Sequence, residues 1–158
     1  MSDEPLEIRS ADLGERAQAD ALFEILDAYA REPGGQSAPL TAEARANLAK
    51  GLREQPTAFV LLAFAGARAV GAAVCFVGFS TFAGKPFVNL HDLAVLPSHR
   101  GRGIGSQLLA EVERRARERG ACKVTLEVHD TNHGAKRLYE ATGFGSWTSP
   151  TLFVTKRL

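Results

Sequence analysis

The sequence predicts an α/β protein of the mixed (α+β) kind, in which helices cover one sheet, and three observations indicate this class. First, one hydrophobic core can organise 158 residues, so we expect a single domain over residues 1–158. Second, three long apolar runs separated by short turns fill the middle of the chain, as in consecutive antiparallel strands. Third, an amphipathic helix and a further apolar run follow, which predicts a βαβ unit with parallel strands.

The expected strands have apolar or alternating side chains and end at glycine or proline turns. The first segment is short and alternates, which predicts a first strand, whereas the first central run is apolar throughout, as in a strand covered on both faces. Turns at Gly66–Arg68 and Ala83–Pro86 separate the central runs. In order, the predicted strands are Leu6–Arg9, Ala58–Ala65, Ala69–Thr81, Phe87–Leu96, Ala121–Val128, Phe144–Trp147 and Leu152–Lys156.

Four segments have the apolar spacing of amphipathic helices, and capping residues mark their ends. Asp12 is the expected N-cap of the first helix, with Glu15 as its capping-box partner. Thr41 is the expected N-cap of the second helix, and Gly120 ends the third. The predicted helices are Ala11–Arg31, Ala42–Arg53, Gly103–Arg119 and Asn132–Thr142.

Charge is nearly balanced over the chain but unevenly distributed along it. The 19 basic and 18 acidic side chains leave a net charge of +1, which is too small for a protein that coats nucleic acid. Residues 1–60 contain 11 acidic and 6 basic side chains, whereas residues 61–158 contain 7 acidic and 13 basic ones. Nucleic acid is therefore not an expected partner. The function should account for the acidic excess in residues 1–60 and the basic excess in residues 61–158.

The sequence also predicts the compartment. The acidic N-terminus lacks the apolar segment of a secretory signal, and no apolar run reaches the roughly 18 residues that a membrane span needs. Cys75 and Cys122 lie in apolar runs and are expected to be buried thiols, not partners in a disulfide. We therefore expect a cytoplasmic protein that does not associate with a membrane.

A glycine-rich turn between the third apolar run and the third helix is the strongest candidate for a binding site. Glycines allow the backbone to approach a ligand closely, and the helix N-terminus that follows offers unpaired N–H donors and partial positive charge. The turn contains neither the Lys-Ser/Thr of a P-loop nor the GxGxxG spacing of a dinucleotide site. A different phosphate-bearing ligand is therefore expected at Arg100, Gly101, Arg102, Gly103, Ile104, Gly105 and Ser106.

Three motifs in this order carry a family resemblance. They are Leu93-Ala94-Val95-x-Pro97, then Arg100-x-x-Gly103-x-Gly105, then Asn132-x-x-Ala135-x-x-Leu138-Tyr139-x-x-x-Gly143-Phe144. With these motifs the chain resembles the GNAT superfamily of N-acetyltransferases. The resemblance implies a three-layer fold with a mixed central sheet of about six to seven strands and about four flanking helices. It also implies a splay between the strands at 87–96 and 121–128.

The same resemblance implies acetyl-CoA as cosubstrate and assigns residues to its binding. The turn would bind the pyrophosphate, and the strand before it would pair with the pantetheine arm as an added strand does. The Val95 N–H would polarise the thioester carbonyl. Asn132 would lie near the cofactor arm, cap the last helix, or do both. The implied cofactor-binding residues are Leu93, Ala94, Val95, Arg100, Gly101, Arg102, Gly103, Ile104, Gly105, Ser106 and Asn132.

Catalysis requires that the acceptor amine lose a proton and that the departing thiolate gain one. Tyr139 matches the tyrosine that the family uses as general acid. Glu127 and Asp92 are nearly equal candidates for the general base. His91 is a third candidate, because an unperturbed imidazole also titrates in the range that a base needs. His129 and His133 are four residues apart, but no third ligand lies near them in the sequence, so no metal is expected.

The resemblance implies transfer of an acetyl group by direct attack of the primary amine of a small molecule. Phe79–Lys85 resembles diamine acetyltransferases, which suggests a polyamine-like acceptor, although His91 stands where those enzymes carry an acid. A protein or peptide N-acetyltransferase and a non-catalytic acyl-CoA-binding sensor are the alternative functions. Homodimers are common among relatives, so a homodimer is also an expectation.

Overall fold

The computed structural model describes residues 5–145, 147 and 151–158. The sequence order of helices and strands agrees with the prediction from the second helix to the fourth, with ends that differ by a few residues. The elements are β1 (Leu6–Ser10), α1 (Arg16–Ala30), α2 (Ala42–Glu54), β2 (Ala58–Ala65), β3 (Arg68–Ser80), β4 (Lys85–Val95), a short 3-10 helix (Pro97–His99), α3 (Ile104–Glu118), β5 (Val124–Leu126) and α4 (His133–Ala141).

The sheet has five strands in the order β1-β2-β3-β4-β5, and its pairing confirms the predicted mixed character. The first four strands are antiparallel neighbours, whereas β4 and β5 are parallel. The parallel pair follows from the topology, since α3 crosses from the end of β4 back to the start of β5.

Two hydrophobic clusters cover the two faces of this sheet and confirm the three-layer arrangement. On one face, α3 and Tyr139 of α4 pack on the sheet, and the predicted stripe of α3 is buried there in full. On the other face, α1 contributes buried side chains and α2 packs at the margin. The buried stripe of α3 consists of Ile104, Leu108, Leu109, Val112 and Ala116.

The last two predicted strands are not present among the described residues, so the prediction of six to seven strands was wrong. The Phe144 amide instead donates to Tyr139 O at 3.0 Å, so this backbone group takes part in the hydrogen bonding that ends α4. Leu152–Lys156 has no regular structure, and its three leading apolar side chains are 76–82% exposed. Ser146 of the first segment lies outside the described residues. An alternating pattern alone does not form a strand without a partner strand and a face to bury.

The start of α1 also differs from the prediction. The helix begins at Arg16 with Glu15 as N-cap, whereas Asp12 Oδ1 accepts from the Gly14 amide at 2.9 Å in the preceding turn. The Gln18 side chain takes the reciprocal position and accepts from the Asp12 amide at 2.9 Å. In contrast, Thr41 caps α2 as predicted, since its Oγ1 accepts from Ala44 N at 3.1 Å.

The two cysteines differ in environment. Cys75 lies in the centre of β3 and is fully buried, as predicted, and burial raises the pKa of its thiol to about 12. Cys122 is exposed, which contradicts the prediction, because it precedes β5 in the connection from α3 and not in a covered strand. Within the described part of the chain, no helix is long and apolar enough to cross a bilayer.

Candidate active site

A cleft of about 640 Å³ opens between the end of β4, the glycine turn and α4. This volume is in the range of sites that hold small molecules and cofactors. The cleft brings together most of the residues that the family resemblance assigned to the cofactor, whereas Arg102 is not among its lining residues. Those that line it are Leu93, Ala94, Val95, Arg100, Gly101, Gly103, Ile104, Gly105, Ser106 and Asn132.

The cleft exists because β4 and β5 separate after a short parallel pairing, which confirms the predicted splay. Their register ends at Leu90 opposite Leu126, so the remainder of β4 has no parallel neighbour. Leu96 N donates to Val70 O at 2.8 Å, which directs the Leu96 backbone toward β3. Since successive residues of a strand direct their backbone groups to opposite sides, the Val95 N–H points away from β3 and into the splay.

A β-bulge at His91 determines which face of the sheet each site residue occupies. Val74 pairs with Asp92 and the next residue pairs with Leu90, so His91 is the extra residue in β4. The bulge reverses the side-chain alternation: Leu90 packs in the cluster beneath α3, and Ala94 packs in the cluster beneath α1. Asp92 lies two residues before Ala94, after the bulge, so its side chain is on the same face of the strand as Ala94 and is directed toward α1.

The glycine turn offers backbone donors at the closed end of the cleft. Gly101 and Gly103 both have φ of 74°, a left-handed conformation that a side chain makes unfavourable. Gly103 is the N-cap of α3 and provides no side-chain cap, so the first-turn amides of this helix are available to an anion. This donor set fits a pyrophosphate.

Three arginines near the turn have different surroundings. Arg100 lines the cleft, but its guanidinium forms an ion pair with Glu32 and donates to Val95 O at 2.9 Å. Arg102 is exposed, and its Nη2 donates to Ser98 O at 3.4 Å. Arg137 of α4 was not singled out from the sequence, yet it lines the cleft. Its position inside the third motif, between Ala135 and Tyr139, was the signal that could have identified it.

Tyr139 is buried and lines the same cleft. Its ring contacts Phe144 edge to face at a centroid distance of 5.6 Å, which fixes its orientation. Burial, together with the nearby Tyr29 and Asp92, raises the pKa of the Tyr139 hydroxyl to about 12. The hydroxyl therefore keeps its proton at neutral pH and can donate it.

The two candidate bases lie in different environments. Asp92 is half-buried, and this burial raises the pKa of its carboxyl above the ordinary 3.8, although the neighbouring His91 opposes the shift. Glu127 follows β5 and is exposed, and neither Glu127 nor Asp92 is among the residues lining the cleft. His91 is exposed, with its ring against Phe76 at a centroid distance of 5.4 Å. A raised pKa makes a carboxylate a better proton acceptor, which favours Asp92 on chemical grounds.

Asn132 is the N-cap of α4, where its Oδ1 accepts from the Ala135 amide at 3.2 Å. It also lines the cleft, so the two roles that the sequence left open are compatible.

Two further residues of the cleft wall were missed as functional because they come from the acidic first helix and its end. The sequence did not single out Tyr29, and Glu32 was counted only among the 11 acidic side chains of residues 1–60. Both line the cleft, and burial, followed by the negative charges of Asp92 and Glu32, raises the pKa of Tyr29. The acids within α1 pair elsewhere: Asp20 with Arg16, Glu24 with Arg68, and Asp27 with Arg31.

A second cleft of about 780 Å³ lies on the other side of β5. It contains none of the predicted site residues; Cys122, Thr125 and Phe144 are among those that line it. The larger volume therefore does not coincide with the chemistry.

The first cleft combines a splayed strand edge with a helix N-terminus that has no side-chain cap, and these groups suit a phosphate-bearing ligand. A model of the family described as Acetyltransferase (GNAT) matches residues 19–144. Because that match covers most of the chain, this protein belongs to the GNAT acetyltransferase family.

Curated relatives match over shorter segments. Thialysine N-epsilon-acetyltransferase of Bos taurus is 36% identical over 74 residues, which are 47% of this chain and 43% of the bovine protein. N-alpha-acetyltransferase MAK3 of Arabidopsis thaliana is 36% identical over 83 residues, 52% of this chain and 43% of that protein. The matched segment is therefore less than half the length of either relative.

Solved structures match over the whole fold. A possible acetyltransferase from Clostridium difficile 630 superposes with a TM-score of 0.82 at 16% identity, covering 97% of this chain and 98% of that chain. At this identity the similarity concerns the fold.

Proposed function

We propose that this protein is an acetyl-CoA-dependent N-acetyltransferase that acetylates the primary amine of a small cationic molecule by direct attack. One observation carries the proposal: the buried Tyr139 hydroxyl, with a pKa of about 12, lines the same cleft as the phosphate-binding turn. A cleft that served only to hold CoA has no need of a buried proton donor there.

The cofactor site combines backbone and charge. Acetyl-CoA, when bound, supplies the thioester carbon that the amine attacks. The outward-facing backbone of Leu93 and Val95 would pair with the pantetheine arm, and the Val95 N–H would donate to the thioester carbonyl oxygen. The amides after Gly103 bind the pyrophosphate, and Arg137 adds positive charge.

Two side chains handle the protons. Asp92 accepts a proton from the acceptor ammonium, directly or through a water molecule, and the neutral amine that results attacks the thioester carbon to form the new C–N bond. Tyr139 donates its proton to the sulfur as the C–S bond breaks, and the tyrosinate is reprotonated from solvent. The pKa values suit these roles, since burial raises that of Asp92 above its ordinary value and that of Tyr139 keeps the hydroxyl protonated.

The acceptor side favours a cation. The bulge directs Asp92 toward α1, where Tyr29 lines the cleft opposite the cofactor strand. The Tyr29 hydroxyl donates to Gly34 O at 2.9 Å, so its oxygen keeps a free lone pair. A carboxylate beside an aromatic ring and a hydroxyl oxygen fits an ammonium group. A polyamine-like molecule is the acceptor class that this arrangement fits best.

The test is CoA thiol release from acetyl-CoA with a panel of diamines, polyamines, lysine analogues and peptides. We expect the largest kcat/KM with a small diamine or lysine analogue. The alternative that the protein acetylates peptides draws support from its similarity to an N-alpha-acetyltransferase, and faster turnover of peptides would establish it. Saturable CoA binding without thiol release for any amine would establish the sensor instead.

The proposal also includes a cytoplasmic location and a homodimer. The free thiols of Cys75 and Cys122 are typical of a reducing compartment. Light scattering coupled to size exclusion tests the dimer, which a mass near 17.0 kDa contradicts.

A further inference from the structure

Arg100 lies just after β4, where its guanidinium connects two parts of the molecule. Its Nε donates to Val95 O at 2.9 Å, and its Nη1 donates to Glu32 Oε2 at 3.2 Å. Its Nη2 donates to Glu32 Oε1, so the guanidinium and the carboxylate form a two-pronged ion pair. Glu32 is 68 positions earlier in the chain and follows α1. The Glu32–Arg100 ion pair therefore connects the residues after α1 to the splayed end of β4.

The α1–α2 loop, residues 31–41, contacts both walls of the cleft. Tyr29 Oη donates to Gly34 O at 2.9 Å and fixes the loop to the helix before it. A Cβ atom added at Gly34 would lie 2.8 Å from Nδ2 of Asn132, so the loop is in close contact with the start of α4. The loop thus spans the cleft from Glu32, at β4, to Gly34, at α4.

We propose that Glu32 and Arg100 are positioning residues, whose ion pair holds the α1–α2 loop across the cleft and keeps the end of β4 in the geometry that binds the cofactor. The inference rests on the proposed function, because the site it concerns is the acetyl-CoA site. It assigns Arg100 a role other than phosphate ligand, since three of its N–H groups are directed to Val95 and Glu32.

The two roles for Arg100 predict opposite effects of the Glu32 charge. If Arg100 binds phosphate, Glu32 competes with the ligand and repels it, so loss of the carboxylate tightens CoA binding. If the pair positions the loop and the strand, loss of the carboxylate loosens both and weakens CoA binding. The sign of one substitution therefore separates the two roles.

The first experiment measures CoA affinity by titration calorimetry for wild type, Glu32→Gln, Arg100→Gln and the double variant. We expect each single variant to bind CoA about fivefold more weakly, the upper end for a partly exposed ion pair. The double variant should match the singles, because both remove one interaction. The matched control is Glu24→Gln, which breaks the exposed ion pair between Glu24 of α1 and Arg68 of β3, outside the cleft, and should leave affinity unchanged.

The second experiment uses Arg100→Lys and a phosphate-free probe, S-acetylpantetheine. Lysine keeps the charge but lacks the planar guanidinium, whose separate N–H groups donate to Val95 and Glu32 at the same time. We expect Arg100→Lys to weaken binding of CoA and of S-acetylpantetheine by the same factor, since a misplaced strand affects the pantetheine arm. A loss confined to CoA would show a phosphate ligand and overturn the proposal.

The outcomes distinguish this inference from the proposed function, because binding and not turnover is measured. Tighter or unchanged CoA binding by Glu32→Gln overturns the positioning role alone. A wild-type protein that binds no CoA overturns both.

Discussion

The two walls of the cleft are built in different ways. The cofactor wall, formed by the end of β4 and the glycine turn, presents backbone groups: the Val95 amide and the first-turn amides of α3, with Gly103 at φ of 74°. The proposed acceptor wall presents side chains from separate elements: Tyr29 of α1 and Glu32 of the following loop line the cleft, whereas Asp92, beside the bulge in β4, lies outside that lining. A backbone site depends on glycine spacing within one segment, whereas a side-chain site depends on tertiary structure.

This difference has a functional consequence. The cofactor wall can serve the same ligand throughout a family, because amide donors do not change with sequence. The acceptor wall can change its ligand by single substitutions, because each group comes from a different element. Substitutions in the two walls should therefore affect different kinetic constants.

The largest expected effect is on the cofactor wall. Gly103→Val places a β-branched side chain at a positive φ and next to the amides that bind phosphate, so CoA affinity should fall by roughly 100-fold, the loss of two charge-assisted hydrogen bonds. Calorimetry measures it. Gly120→Val is the matched control, with φ of 69° at the far end of α3, and should retain CoA affinity in the folded fraction. Equal losses in both variants would mean that strain alone is responsible.

Next in size is the proton donor that the two walls share. Tyr139→Phe keeps the packing against Phe144 but removes the hydroxyl, so kcat should fall by ~10²-fold, at the lower range for a general acid, with CoA affinity unchanged. Steady-state kinetics and calorimetry measure the two quantities. Unchanged turnover would exclude Tyr139 from the mechanism.

The base on the acceptor wall gives an effect of similar or smaller size. Asp92→Asn should lower kcat/KM by about 10²-fold and remove the acidic limb of its pH profile, which lies above 3.8 because burial raises the pKa of Asp92. Glu127→Gln, which replaces an exposed carboxylate, should stay within about twofold of wild type. The reverse ranking would assign the base to Glu127.

The same Asp92 pKa predicts a change in stability of known sign. The folded protein binds this proton more tightly than the unfolded chain, so the free energy of unfolding decreases as the pH rises from 3.8 through the raised pKa. Asp92→Asn avoids this loss and should melt at a higher temperature than wild type at pH 7. The difference should disappear below pH 3.8, and a variant less stable at pH 7 would contradict the shift.

The smallest effect concerns the charges that assist the turn. Arg137→Gln should weaken CoA binding by about tenfold, as expected for one charge-assisted contact, and should leave S-acetylpantetheine unaffected. Arg102→Gln is the control, because that side chain is exposed and does not line the cleft. A larger loss of CoA affinity for the Arg102 variant than for the Arg137 variant would favour Arg102 as a cofactor-binding residue, as the family motif implied.

The contrast between the walls also explains what could be predicted from the sequence. The N-cap at Thr41 and the amphipathic character of α3 follow from local spacing, whereas the splay at β4 was implied by the family resemblance; each was predicted. The His91 bulge was not, because a bulge depends on how β3 pairs with β4. The C-terminal strands failed for a related reason: Leu152–Lys156 begins with an apolar run typical of a strand but forms no ladder among the described residues. Tyr29 and Glu32 became site residues only when α1 packed on the sheet.

The most direct test of the central claim is a single-turnover reaction of the protein with acetyl-CoA and a small diamine, analysed by mass spectrometry of both the amine and the protein. The account predicts that the acetyl group appears on the amine at the rate at which CoA is released, with no acetylated protein on the way. It also predicts that Tyr139→Phe slows both signals together. Acetyl-CoA that remains intact with every amine, or an acetyl group that passes through the protein, would contradict it.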